Sequence, residues 1–186
     1  MPASNVLTLP GWQNSGPDHW QSRWEARYGY QRVDQHDWKT PRRGDWIARL
    51  EDVVLGTEGP VVLVAHSLGC ILIAAWAQVS RSTARVQGAL LVAPGDAERD
   101  ELRDVLPSWS PIVRQPLPFP SVLVGSRNDP YCRYERAQGL AESWGSRFVD
   151  LGNAGHINAE SGLGDWPAGV KMLLSVASTS AFGESI

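Results

Sequence analysis

Residues 60–70 read Pro60-Val61-Val62-Leu63-Val64-Ala65-His66-Ser67-Leu68-Gly69-Cys70, and the order of residue types in this stretch decides the fold. Val61–Ala65 is continuously apolar, the pattern of a parallel strand buried on both faces. It runs directly into an apolar helix, Cys70–Val79. Between the two, Ser67 has a small residue two before it, Ala65, and another two after it, Gly69. A serine so flanked at a strand-to-helix turn has the pattern of a nucleophile elbow. The requirement is steric: a strained turn projects the hydroxyl above the strand end, so the residues packed beneath must be small. A helix N-terminus adds backbone N–H groups and a dipole that favour a developing oxyanion.

Outward from this point, strand-like and helix-like segments alternate. Strands are expected at 5–9, 30–35, 60–65, 87–93, 121–126 and 147–151, and helices near 18–28, 44–55, 68–80, 97–105, 132–144 and 166–178. In the last helix Val170, Leu173, Leu174 and Ala177 share one face at 3/4 spacing. Such alternation predicts an α/β fold, a three-layer sandwich with a mostly parallel six-stranded sheet and right-handed crossovers. No repeat, linker or domain boundary interrupts it, so residues 1–186 are expected to form one domain. Residues 107–120, with five prolines, read as an irregular excursion, and the tail from about 179 is expected to fray.

Composition narrows the function classes. Seventeen basic residues against 20 acidic ones, net charge -3, disfavour a nucleic-acid groove or an anionic-membrane patch. No run approaches a membrane span, and Met1–Gly11 lacks the charged start and apolar length of a signal peptide. Two cysteines, Cys70 and Cys132, form neither a zinc site nor a disulfide scaffold, so free thiols in a reducing cytoplasm are expected. After the first strand the sequence LPGWQNSG is not GxGxxG, and GxxxxGK[ST] occurs nowhere, which disfavours nucleotide binding. Neither a cofactor nor a metal is expected.

A serine hydroxyl needs an oriented base. His66 adjoins Ser67, so its side chain leaves in a different direction. His156, in the Gly-flanked loop Gly152–Asn158 between the last strand and the last helix, can return over the elbow. The orienting acid is expected at a strand end between them. Asp129 follows the fifth strand, with Asp96 and Asp150 as rivals, and N-capping of helix 132–144 is its alternative role. The chain order Ser67, Asp129, His156 is that of an α/β-hydrolase sheet. Backbone N–H groups of Leu68 and Trp12 are the candidate oxyanion donors, the second from the glycine-containing loop after the first strand. Gly11, Trp12, His66 and Trp109 are the candidate pocket residues, with Trp109 as a roof over the site.

The chain resembles the YdeN-like or retinoblastoma-binding-protein-nine-like serine hydrolases. The resemblance is carried by LPGWQNSGPDHWQSRW, VAHSLG, GSRNDPYC and GNAGHINAESGLGDWP, and it spans nearly the whole chain. Ala65 departs from the G-x-S-x-G consensus, but a small residue meets the same demand. The resemblance implies sheet order 2-1-3-4-5-6, a minimal cap, a Ser67–His156–Asp129 triad and hydrolysis of small esters. Such families also contain proteins known chiefly as binding partners, so a protein-interaction module is the alternative. An amidase or peptidase would use the same triad. The short excursion Gly95–Pro120 predicts an open, shallow site for short acyl chains. Trp20 and Trp24 share a helix face and, like Trp38, Trp46, Trp76, Trp144 and Trp166, are expected to pack. His19 and His36 are expected to make loop hydrogen bonds.

Overall fold

Alternate residues of a strand face opposite sides of its sheet, and here each side meets its own helices. The computed structural model describes residues 5–179. Six strands, β1 (Asn5–Leu9), β2 (Gln31–Arg32), β3 (Val61–His66), β4 (Val86–Val92), β5 (Ser121–Gly125) and β6 (Arg147–Asp150), form one sheet in the order β2-β1-β3-β4-β5-β6. Every pairing is parallel. The helices are α1 (Trp20–Tyr28), α2 (Arg43–Gly56), α3 (Leu68–Val79), α4 (Tyr134–Trp144) and α5 (Pro167–Thr179).

Leu7, Leu9, Val61, Leu63, Ala65, Ala89, Leu91 and Leu123 pack in one cluster with the apolar residues of α2, α3 and α4. Val6, Val62, Val64, Leu90, Val92, Val122 and Val124 pack in the other with α1 and α5. The three layers follow directly from this period of two. Sealing both faces of β3 leaves its C-terminal end as the place where the chain emerges from the core. The expected packing tryptophans are in place: Trp20, Trp24, Trp46, Trp76, Trp144 and Trp166 are buried, and Trp38 packs edge-on to Trp46.

Two elements differ from the sequence reading. The strand expected over 30–35 is only Gln31–Arg32; it is an edge strand, and beyond it only Val33 and Gln35 are buried. The helix expected over 97–105 is a single 3-10 turn, Asp100–Leu102. There the polar side chains reach tertiary partners. Glu98 accepts from Arg136, Arg114 and the Ile112 N–H, while Arg99 donates to the Pro130 carbonyl. Pro107 then disfavours helical backbone at the preceding residue. The excursion is thus a strap pinned across the strand ends. The fraying expected past 179 lies outside the described residues. Among those residues no helix is long and apolar enough to cross a membrane.

Candidate active site

Ser67 lies between β3 and α3 at φ 54°, ψ -119°, a region that non-glycine residues rarely occupy. Its N–H donates to the Val92 carbonyl of β4 at 3.0 Å, which fixes the turn. Holding such a backbone costs about 1–3 kcal/mol, and only a surrounding structure that over-determines it can do so. Gly69 shows why the flanking residues must be small. A Cβ there would lie 2.3 Å from the Leu9 carbonyl oxygen, because α3 starts hard against the backbone of β1. Gly11 approaches the elbow just as closely from the β1 loop: a Cβ would lie 2.8 Å from Ser67 Cβ and 3.2 Å from the Leu68 nitrogen.

His156 Nε2 is 2.9 Å from Ser67 Oγ, and its Nδ1 is 2.9 Å from both carboxylate oxygens of Asp129. The side chains of His156 and Asp129 are only 9% and 3% exposed. Several contacts hold the histidine loop. The Gly155 N–H donates to Asn128 Oδ1, and the Ala154 N–H donates to Ser126 Oγ. The Trp20 indole N–H donates to the Ile157 carbonyl at 2.8 Å. Trp20 packs edge-on against Trp24 and Trp166, which stack on each other, so their packing also holds this loop. His66 points to the α1 side of the sheet, and its Nε2–H donates to the His156 carbonyl at 2.9 Å.

The rival acids are engaged elsewhere. Asp150 is ion-paired with Arg127 at the sheet edge, and Asp96 accepts from Arg136 and from the Glu98 N–H. Asp129 does not cap α4, whose N-cap is Arg133; it accepts the Tyr131 N–H across Pro130 instead. Both cysteines are free and buried, and burial pushes the Cys132 thiol up to about 12.

A cavity of about 560 Å³ opens over this chain of hydrogen bonds. Gly11, Trp12, His66, Ser67, Leu68 and His156 line it. Trp109 does not, and its expected place as a roof is corrected. The side chain is fully buried, with its indole N–H on the Pro41 carbonyl at 3.0 Å and its ring edge-on to Trp46, so it anchors the strap to α2. The strap contributes Arg99, Glu101, Leu102 and Leu106 to the wall in its place. Sequence reasoning also missed Tyr131, whose ring packs 4.6 Å from His156, and His19, the side-chain N-cap of α1. Capping was the available signal for His19; nothing local marks Tyr131.

A parallel sheet with serine after β3, aspartate after β5 and histidine after β6 defines the α/β-hydrolase class. A family model described as serine hydrolase matches residues 6–175, and the chain belongs to that family, as a small YdeN-like hydrolase. A YdeN-like hydrolase from Pectobacterium atrosepticum is 33% identical over 95% of this chain and 91% of its own, with a TM-score of 0.82. The ydeN gene product of B. subtilis, 19% identical over 95% of this chain and 100% of its own, gives 0.76. Esterase 2 of Thermogutta terrifontis shares the fold at 19% identity and a TM-score of 0.64, over 96% of this chain and 82% of its own. Among curated proteins, none matches the sequence.

Proposed function

We propose that the protein is a carboxylesterase-type serine hydrolase that cleaves small, short-acyl esters through an acyl-enzyme on Ser67. The observation that carries this reading is the continuous hydrogen-bond chain from Asp129 through His156 to a Ser67 held in a strained turn at the cavity floor. With the Nδ1–H donated to Asp129, the Nε2 lone pair of His156 faces the serine hydroxyl and accepts its proton. The alkoxide oxygen attacks the ester carbonyl, forming the C–O bond to Ser67 and moving the carbonyl electron pair onto oxygen. The Leu68 N–H at the start of α3 and the Trp12 N–H of the β1 loop stabilise that oxyanion, and Gly11 permits the close approach. His156 returns the proton to the leaving alcohol as the tetrahedral intermediate collapses. Water then attacks the acyl-enzyme with the same residues in reversed roles.

A cavity of about 560 Å³ is small-molecule sized, and a strap without an α-helix makes no lipase-type lid. This favours short acyl chains. The test is labelling of the purified protein by a fluorophosphonate, which reacts with activated serines whatever the substrate. We expect labelling of the wild type that disappears in Ser67→Ala. Absence of labelling in folded wild type would overturn the reading and leave an interaction module on a hydrolase fold. Turnover of matched p-nitrophenyl esters and p-nitroanilides separates an esterase from an amidase.

A further inference from the structure

A glycine serves a fold through its backbone freedom or through the space its missing side chain leaves. Gly95, in the loop after β4, serves through space. Its φ lies outside the left-handed region, so an alanine fits its backbone, yet a Cβ there would lie 3.0 Å from Ser67 Oγ. The next nearest atoms, the Ser67 carbonyl carbon and the Leu68 nitrogen, are both at 3.7 Å, ordinary contact distance. What glycine keeps open is therefore room beside the reacting hydroxyl, whereas at Gly69 the close atom is the Leu9 carbonyl oxygen. Gly95 is half-buried and lines the cavity, so that room is continuous with it. The loop is fixed from several sides. Ala93 turns at φ 47° with its N–H on the Val124 carbonyl, the Asp96 N–H donates to the Tyr131 carbonyl, and the Ala97 N–H donates to the carbonyl of Gly95. Ser67 Oγ is fixed as well, because turning away from Gly95 would break its 2.9 Å contact with His156 Nε2.

Three segments converge on the serine, and a tetrahedral intermediate has three groups besides Oγ to place. The leaving oxygen belongs beside His156 Nε2, which protonates it. The oxyanion belongs at the Leu68 N–H, on the side where Gly11 brings in the β1 loop. The acyl carbon is left with the Gly95 side, where Ala97, Leu102 and Leu106 of the strap continue the cavity wall as apolar surface. We propose that Gly95 is the specificity-determining residue on the acyl side of Ser67, leaving room beside the α-carbon, so that the site takes short acyl esters branched at that carbon. The proposal rests on the esterase reading above and names the acyl class of that site. A methyl at position 95 would stand where the branch must go, and overfilling a packed site is penalised.

The experiment uses phenyl acetate, butyrate and isobutyrate, which share a leaving group, and 4-tert-butylphenyl acetate, which enlarges the alcohol instead. Each is measured with wild type and with Gly95→Ala, and the ratio between the two proteins cancels the intrinsic reactivity of the ester. Wild type is expected to turn over isobutyrate within about tenfold of butyrate in kcat/KM, and a stronger rejection would overturn the proposal. In Gly95→Ala, isobutyrate is expected to lose about tenfold more than acetate, while 4-tert-butylphenyl acetate loses no more than phenyl acetate. Three other results also count against the proposal. A loss equal for all acyl groups would mean that the methyl displaces Ser67 Oγ or the oxyanion. A loss that follows the alcohol would put the leaving group beside Gly95, and unchanged kinetics would mean that the room is not used. Fluorophosphonate labelling of wild type runs alongside. Labelling without an acyl-dependent loss removes only the Gly95 role, whereas an unlabelled wild type removes the esterase reading and this proposal with it. Should Gly95→Ala fold poorly, Leu102→Phe narrows the same wall from the strap. It is expected to lower butyrate turnover about tenfold relative to acetate, and a loss that is uniform or follows the alcohol would overturn the proposal.

Discussion

Ser67 holds its φ of 54° only because the Val92 carbonyl, α3 and the backbone of β1 leave it no alternative. Glycine adopts that conformation freely. Ser67→Gly is therefore expected to raise stability by about 1 kcal/mol in denaturant titrations while abolishing fluorophosphonate labelling. An unchanged or lower stability would mean that the turn is not strained. The neighbouring glycine carries the opposite demand. Gly69→Ala places a methyl against the Leu9 carbonyl, which is backbone and cannot swing aside. A loss of about 3 kcal/mol or more is expected from forced overpacking, measured by the denaturation midpoint. For Asp129→Asn the hydrogen-bond geometry survives but the imidazole is held in the wrong tautomer, and kcat is expected to fall about 10⁴-fold in ester turnover.

Among the elements, the strap from Gly95 to Pro120 departs most from its sequence reading. Its apolar residues lack a helical repeat strong enough to outweigh the tertiary bonds available to Glu98 and Arg99. Instead of capping the site with a helix, it lays Leu102 and Leu106 along the cavity and anchors itself through Trp109 to α2. Trp109→Ala is expected to cost about 3–5 kcal/mol of stability and to raise KM more than it lowers kcat, since the strap touches the cavity and not the reacting atoms. A kcat loss without a KM change would show that the strap acts on His156 itself. Helix α1 has a related role, because Trp20 and Trp24 donate to the Ile157 and Asp165 carbonyls and hold the loop that carries His156.

At the scale of the whole molecule, two buried histidines link folding to pH. Burial holds the rings of His19 and His66 well below the ordinary value of 6.5, so both stay neutral in the folded protein. The unfolded chain takes up protons on both as pH falls below 6.5. It then binds more protons than the native state, and stability drops with falling pH. Above 6.5 neither group contributes. Urea unfolding between pH 6.5 and 5.5, above the range where Glu51 and Glu98 take up protons in the unfolded chain, is expected to show a slope of up to about 2.7 kcal/mol per pH unit, with His19→Asn removing about half of it. A flat profile would mean that both rings charge without unfolding.

Much of the architecture was legible without coordinates. The continuous Val/Leu/Ala runs of β3, β4 and β5 and the 3/4 spacing of α5 specify their elements, because burial on two faces or on one leaves a different period in the chain. The serine at the β3–α3 turn was equally legible, since its small neighbours answer a local steric demand. Three further features depended on folding. Asp129 rather than Asp96 or Asp150 meets His156, Trp109 turns into the core instead of over the site, and His19 is buried with its Nε2 unpaired among the described residues. These are contacts between segments far apart in the chain, and no local pattern encodes which of several similar side chains will face a given partner. The sequence by itself determined the layers, the turn and the candidate chemistry. Only the tertiary structure decided which rival acids are engaged elsewhere, the cavity wall and the inward turn of Trp109, because packing across the sheet sets those distances.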